Sequence, residues 1–199
     1  NFAWTGSILS LRLHPQENVK WLLAALYAAR RIESKKAEGA HLGNLGQACS
    51  DLGEFRKGIE FHELALKISR EIGDRQMEGN ALGNLGSAYY FLGEARKAIE
   101  YYEQALAIDR EIGDHRGEGA WMGNLGLAYY SLGEARKAIE YYEQQLGITC
   151  EIGDRRGEGN ALWNMSLALD ELNERIKAIN KAQDALEIYE QIESPVAER

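Results

Sequence analysis

Apolar residues recur along the chain at the spacing of one face of a helix. Between 82 and 92 they stand three or four residues apart, at Leu82, Leu85, Ala88, Tyr89 and Leu92. The next segment keeps this rhythm at Ala95, Ala98, Ile99, Tyr102, Leu106 and Ile108. Gly93 and Glu94 separate the two segments and predict a tight turn. The pattern therefore predicts a hairpin of two amphipathic helices, called helix A and helix B below.

The hairpin recurs with a period of 40 residues, as the segments LGNLG at 42–46 and again at 82–86 illustrate. LGEARKAIEYYEQ stands at 92–104 and, unchanged, at 132–144. Helix B of each clear repeat is followed by a Gly-Asp pair, at 73–74, 113–114 and 153–154. Such a pair suits a residue after a helix C-terminus and the N-cap of the next helix A. A single hairpin cannot bury both its faces, whereas a stack of hairpins can. The predicted fold is all-α, an α-solenoid of stacked antiparallel helix pairs.

We treat residues 1–199 as a single array. A degenerate repeat is expected at 1–38, three clear repeats at 39–78, 79–118 and 119–158, a divergent last repeat at 159–194, and a tail at 195–199. The sequence starts at Asn1 rather than Met, so we expect a piece of a longer protein.

The spacing Leu82-x2-Leu85-Gly86-x2-Tyr89, followed by Ala98-x3-Tyr102, resembles the tetratricopeptide signature. The period is longer than the usual one of about 34 residues, and we expect the added residues to extend helix B and the A–B connection. This longer version is similar to the repeats of Leu-Gly-Asn polarity adaptors, kinesin light chains and bacterial signalling proteins. The resemblance implies a right-handed solenoid that binds a protein or peptide on a concave surface lined by helix A. It does not identify the partner.

A Gly-Asn pair stands at the same point of successive repeats. The resemblance implies that these positions face the inner surface and that the asparagines form a ladder, whose carboxamides pair with the backbone of a bound peptide. The predicted rungs are Asn44, Asn84, Asn124 and Asn164. The adjacent glycines, expected to let that backbone approach, are Gly43, Gly83 and Gly123. The alternative is that each asparagine is a hydrogen-bonded spacer within the fold, copied by repeat duplication.

Further residues are expected on the same inner surface. They are Asn80 and Asn160 one turn earlier, Gln47 and Leu127 one turn later, and Tyr90, Phe91, Tyr130, Asp170 and Glu171 towards the end of helix A. The centre is aromatic and apolar, the ends are acidic, and no Lys or Arg is expected between them. We therefore expect a ligand that is not acidic, with apolar anchors near the centre and Lys or Arg near the acidic ends.

Other chemistry finds little support in the sequence. The net charge of −8 argues against nucleic acid, and the longest apolar run, residues 21–29, is too short to span a membrane. The four histidines lack metal-ligand spacing, so no metal, cofactor or enzyme activity is expected. Cys49 and Cys150 are too far apart in the array to pair, which indicates free thiols and predicts a cytoplasmic location.

Two functions remain open at this level. The first is a protein-interaction scaffold that binds a partner segment on the inner surface. The second is the sensor or autoinhibitory array of a larger signalling ATPase of the nucleotide-switch (STAND or NB-ARC) type. Self-association is a third prediction, through an uncapped last hairpin that exposes Leu162, Leu169, Ile176, Ala182, Leu186 or their neighbours.

Overall fold

The computed structural model describes residues 15–193, with side chains from Glu17 onward. Within this range the chain is helical and contains no strand. The helices are α1 (Pro15–Arg31), α2 (Lys35–Asp51), α3 (Phe55–Ile72), α4 (Arg75–Phe91), α5 (Ala95–Ile112), α6 (His115–Ser131), α7 (Ala135–Ile152), α8 (Arg155–Glu171) and α9 (Arg175–Glu193). The even-numbered helices are of type A and the odd-numbered ones of type B. The first helix A predicted by the sequence lies outside the described residues.

The helices begin and end where the sequence predicts their boundaries. Gly73 ends α3 in the left-handed conformation at φ 69°, and the Asp74 side chain accepts from the Met77 N–H to cap α4. Asp114 and Asp154 cap α6 and α8 in the same way. The predicted Gly-Asp boundaries are therefore confirmed.

The connection between helix A and helix B is short, which corrects one expectation. Only residues 52–54 join α2 to α3, and Gly53 reverses the chain at φ 75°. Helix A has 17 residues in each described hairpin, and helix B has 18 or 19. The added residues of the longer period thus lie in the helices, because the glycine turn closes the hairpin within three residues.

The chain divides into two compact units, residues 1–108 and 109–199. In the first unit, α2 and α4 lie side by side, and α3 packs against both; in the second, α6 and α8 are neighbours, and α7 packs against both. Each unit has its own apolar core, which includes Leu45 and Leu85 in the first and Leu125 and Tyr142 in the second.

Glycines bring helix A and helix B into contact. A Cβ on Gly86 would lie 2.7 Å from the Tyr102 ring, and one on Gly126 would lie 2.3 Å from the Tyr142 ring. At the equivalent place in α2, Gly46 faces the ring of His62. The flat face of each ring fills the space that a side chain would need.

Candidate interaction surface

The residues expected to bind a ligand lie on the outward-facing side of the A helices. We call this side the A-face and describe it separately in each unit. In the first unit it comprises Asn44, Gln47, Asn80, Asn84, Tyr90 and Phe91, and in the second Asn124, Leu127, Tyr130, Asn160, Asn164, Asp170 and Glu171. All are exposed or half-buried, and none is fully buried.

The four predicted rungs of the ladder keep their carboxamides accessible. Asn44 is exposed, and Asn84, Asn124 and Asn164 are half-buried. None of them has a side-chain hydrogen bond to another residue within 17–193, whereas a spacer asparagine would have one. A carboxamide offers donors and an acceptor, so each rung retains the capacity to bond a passing peptide backbone.

Two other A-face carboxamides are already engaged. The Asn160 Oδ1 accepts a hydrogen bond of 2.8 Å from the Tyr189 hydroxyl of α9. Gln47 donates from Nε2 to Asp51 at 2.7 Å on its own helix. These two residues are therefore less available to a ligand than the four rungs.

An aromatic cluster lies on the first unit at the end of α4. The rings of Phe91 and Phe55 stack at 5.2 Å, and Tyr90 meets Phe91 edge-on at 5.8 Å. Phe91 remains 64% exposed despite this stacking. The sequence analysis missed Phe55, although an aromatic residue where the next two repeats have Ala95 and Ala135 was a visible signal.

An aromatic and acidic cluster lies on the second unit. Glu171 and Asp170 of α8 lie close enough to Tyr130 of α6 for their charges to act on its hydroxyl. Burial raises the pKa of Tyr130, and the Glu171 and Asp170 charges add to the rise. The structure therefore places near one another three residues that the sequence assigned to the same surface.

Gly123 does not lie on the A-face, which corrects a second expectation. A Cβ on Gly123 would lie 2.7 Å from Nε2 of Gln145 on α7, so this glycine makes room for a helix B side chain. Gly83 is buried as well. Gly43 has open space around it, because small Ala65 stands where Gln145 stands in the later repeat. Gly123 thus serves the A–B contact, whereas Gly43 does not.

The last hairpin exposes only part of the predicted apolar set. Leu162 and Leu169 are buried, because Leu162 packs against Ala185 and Ile188 of α9. Ile176 and Leu186 are exposed, at 80% and 57%. Ala182 is half-buried. Four further apolar residues of this hairpin are exposed, which are Trp163, Leu167, Ile179 and Ile192.

Tyr89 and Tyr129 are packing residues. Their rings stack on Tyr101 and Tyr141 of helix B, both at 5.3 Å. Cys49 is buried and Cys150 exposed, and both are free thiols.

A membrane-spanning helix and a metal-binding cluster are both absent from the described part of the chain. No helix there is long and apolar enough to cross a membrane. Residues 17–193 contain no group of three or more His, Cys, Asp or Glu side chains arranged to hold a metal ion.

Solved structures share this fold. BtubC (BKLC) from P. vanneervenii matches with a TM-score of 0.84 at 21% identity, over 95% of this chain and 78% of its own. A signal transduction ATPase with numerous domains (STAND) from Pyrococcus horikoshii has a tetratricopeptide repeat sensor. It matches with a TM-score of 0.82 at 22% identity, over 98% of this chain and 30% of its own. A Rap protein complexed with Competence and Sporulation Factor matches with a TM-score of 0.71 at 19% identity, over 90% of this chain and 55% of its own. At these identities the likeness shows the fold alone.

The family itself is shown by sequence. No curated protein matches the chain in a direct comparison. The profile of the tetratricopeptide repeat matches residues 36–111, 77–151 and 121–191 in overlapping groups of repeats. Since these matches cover most of the chain, and since the helix pairs have the geometry described above, the chain belongs to the tetratricopeptide repeat family.

Proposed function

We propose that this chain is a non-catalytic protein-interaction scaffold whose A-face holds an extended or helical segment of a partner. Tetratricopeptide repeats generally mediate protein–protein interaction. The observation that carries the proposal is the set of unpaired carboxamides at Asn44, Asn84, Asn124 and Asn164. A polar group of a peptide loses its bonds to water when it binds, and these side chains offer replacements.

The clusters on the two units give the surface its selectivity. Exposed aromatic side chains such as Phe91 commonly anchor a partner, and Tyr130 supplies a second ring. Asp170 and Glu171 favour a ligand with Lys or Arg at that end and disfavour an acidic one. Because exposed ion pairs contribute only about 0–1 kcal/mol, the apolar anchors supply most of the affinity, and the charges orient the ligand.

The comparison with the Rap protein complexed with Competence and Sporulation Factor supports a ligand of this class. The factor is bound by a protein that shares the fold of this chain. The likeness does not extend to the ligand's identity, so the experiment starts from an unbiased peptide library.

Peptides selected on the full chain from a random library are titrated against single variants. Asn84→Ala and Asn124→Ala should each weaken binding by about 0.5–1.5 kcal/mol, roughly 2- to 13-fold in Kd, with little change in Tm. The matched controls are Gln104→Ala and Gln144→Ala, which remove exposed carboxamides from helix B of the same hairpins. A large fall in Tm with unchanged affinity would make the asparagines structural spacers instead.

A second candidate function is the sensor array of a larger signalling ATPase. The observation that favours it is the match to the STAND protein, whose sensor is a tetratricopeptide array and of which this chain covers 30%. The full-length gene distinguishes the sensor function from the scaffold function. An ATPase module encoded in the same reading frame supports the sensor, and a gene for the repeats alone supports the scaffold.

Self-association remains a prediction for the last hairpin. Its most exposed apolar residues are Ile176, Ile179 and Leu186 on α9. Light scattering across a concentration range should detect a mass that rises with concentration, and Leu186→Glu should suppress the rise.

A further inference from the structure

One buried acid in the array has no place in the proposed function. Asp109, in the last turn of α5, is 1% exposed. Its Oδ2 accepts a hydrogen bond of 2.6 Å from the Trp121 indole N–H, and its Oδ1 is buried without a partner within the described residues. Gly117 of α6 lies directly against Oδ2 and leaves no room for a Cβ. A carboxylate held in this way would be poorly compensated, since burial of a charge needs more than one neutral donor.

The same position in the flanking repeats holds a hydroxyl. Ser69 donates to the Leu66 carbonyl oxygen at 2.8 Å, and Thr149 donates to the Gln145 carbonyl oxygen at 3.0 Å. Each hydroxyl thus bonds a carbonyl three or four residues earlier on its own helix. A protonated carboxyl group also carries an O–H donor, so neutral Asp109 can reproduce this bond to α5 while still accepting from Trp121.

The charges that α6 directs towards this site also disfavour an anion. Asp114 and Glu118 are both negative and raise the pKa of Asp109, although burial is the larger cause and the Trp121 bond opposes it. The nearby basic side chains are engaged elsewhere, because Arg110 bonds Glu118 at 2.7 Å and His115 Nδ1 lies 3.4 Å from the same carboxylate. The Asp114 side chain also accepts a hydrogen bond from the Gly117 N–H at the start of α6, so that backbone donor is unavailable to Asp109.

We propose that Asp109 is a proton-dependent lock on the contact between the last turn of α5 and the first half of α6. As the neutral acid, it donates a hydrogen bond to a carbonyl of α5 and at the same time accepts one from the indole N–H of Trp121. As the carboxylate, it repels the α5 carbonyls and the acidic residues of α6 and loosens the packing around Trp121. The device distinguishes this junction from those that contain Ser69 and Thr149, which do not ionise.

The sign of the pH effect follows from the raised pKa in the folded state. Below the ordinary pKa of an aspartic acid both the folded and the unfolded chain hold the proton, and the folded state has its full stability. As the pH rises, the unfolded chain releases the proton first, and stability is lost until the folded pKa is passed. The loss therefore begins near pH 4 and grows until the pH passes the raised folded pKa of Asp109.

The test compares Asp109→Asn with the parent chain by thermal unfolding between pH 4 and pH 7. Asparagine resembles the neutral acid, so the Tm difference should be small at pH 4 and should reach about 5 °C in favour of the variant at pH 7. Asp184→Asn, which neutralises an exposed acid of α9, is the control, and its difference should stay flat across the range.

A second measurement does not depend on the variant. The carboxyl carbon of Asp109, followed by NMR in the parent chain, should titrate above the ordinary aspartic acid range, and the Trp121 indole proton signal should shift with it. A titration at or below the ordinary range would overturn the proposal. So would an Asp109→Asn variant that is less stable than the parent at pH 7 with an unchanged pH profile.

Discussion

Cys150→Arg is expected to stabilise the array by restoring an ion pair that one junction lacks. At three of the four described junctions, an arginine near the end of helix B bonds a glutamate on the next helix A at 2.7–2.8 Å. These pairs are Arg30–Glu38, Arg70–Glu78 and Arg110–Glu118. The fourth junction has Cys150 in place of the arginine, opposite Glu158.

The missing arginine leaves a buried carboxylate with reduced compensation. The Glu158 side chain is only 7% exposed, and its ion-pair partner is Arg155. Glu78, at the equivalent position, is bonded by both Arg70 and Arg75. Burial raises the pKa of the Cys150 thiol, and the Glu158 charge adds to the rise, so the thiol stays neutral and cannot replace a cation.

The expected gain is modest, because the arginines of these pairs remain about half exposed. A hydrogen bond to a charged group is worth about 1.5–3 kcal/mol, and solvent screening of an exposed partner reduces this towards the 0–1 kcal/mol of surface pairs. We therefore expect a gain of about 1 kcal/mol, or roughly 2–4 °C in Tm for a chain of this size.

Thermal and urea unfolding of Cys150→Arg measure the gain. Cys150→Lys is the matched control, since it adds the same charge without the planar guanidinium and should give a smaller effect. A double-mutant cycle with Glu158→Gln isolates the pair. A coupling energy near zero, or equal gains from arginine and lysine, would refute the argument that the glutamate lacks a specific partner.

Three further predictions follow from other contacts. Gly43→Ala should stabilise the chain by up to about 1 kcal/mol, because a Cβ there meets nothing, whereas Gly126→Ala should destabilise it by about 1–3 kcal/mol through overpacking; chemical denaturation measures both. Burial lowers the pKa of His62 to about 4, so the free energy of unfolding should fall by up to ~3 kcal/mol as the pH drops from 6.5 to 4. The next two repeats have tyrosine at this place, and His62→Tyr should remove that part of the pH profile. In titrations of the selected peptides, Tyr130→Ala should weaken binding more than Glu171→Gln, and higher salt should weaken binding only modestly. If binding is instead lost at moderate salt and Tyr130→Ala has no effect on it, the binding site does not lie on the A-face.

The sequence predicted the hairpins well because their signals are local. The 3–4 spacing, the glycine turns and the Gly-Asp boundaries each act within a few residues, and the structure contains all three. The tetratricopeptide family was likewise readable from the repeated spacing around Leu82 and Gly86.

The errors concern contacts between helices, which periodicity does not specify. The spacing of α6 shows that Gly123 is not a core apolar position, but it does not show that Gln145 reaches into its place. The burial of Leu162 depends on Ala185 and Ile188 of another helix. The Phe55–Phe91 stack joins residues from different repeats, so no single repeat contains the signal. Side chains on a shared surface can be predicted from register, whereas their partners require the packing.

Site-specific photocross-linking tests the location of the ligand most directly. A photoreactive phenylalanine analogue replaces Leu127 on the A-face of α6 or, as a control in the same hairpin, Gln144 on helix α7, which is exposed. A peptide selected on the parent chain should cross-link to position 127 and not to position 144, and unlabelled peptide should compete the product away. Efficient cross-linking at 144 with none at 127 would place the ligand on the helix B side and contradict binding on the A-face.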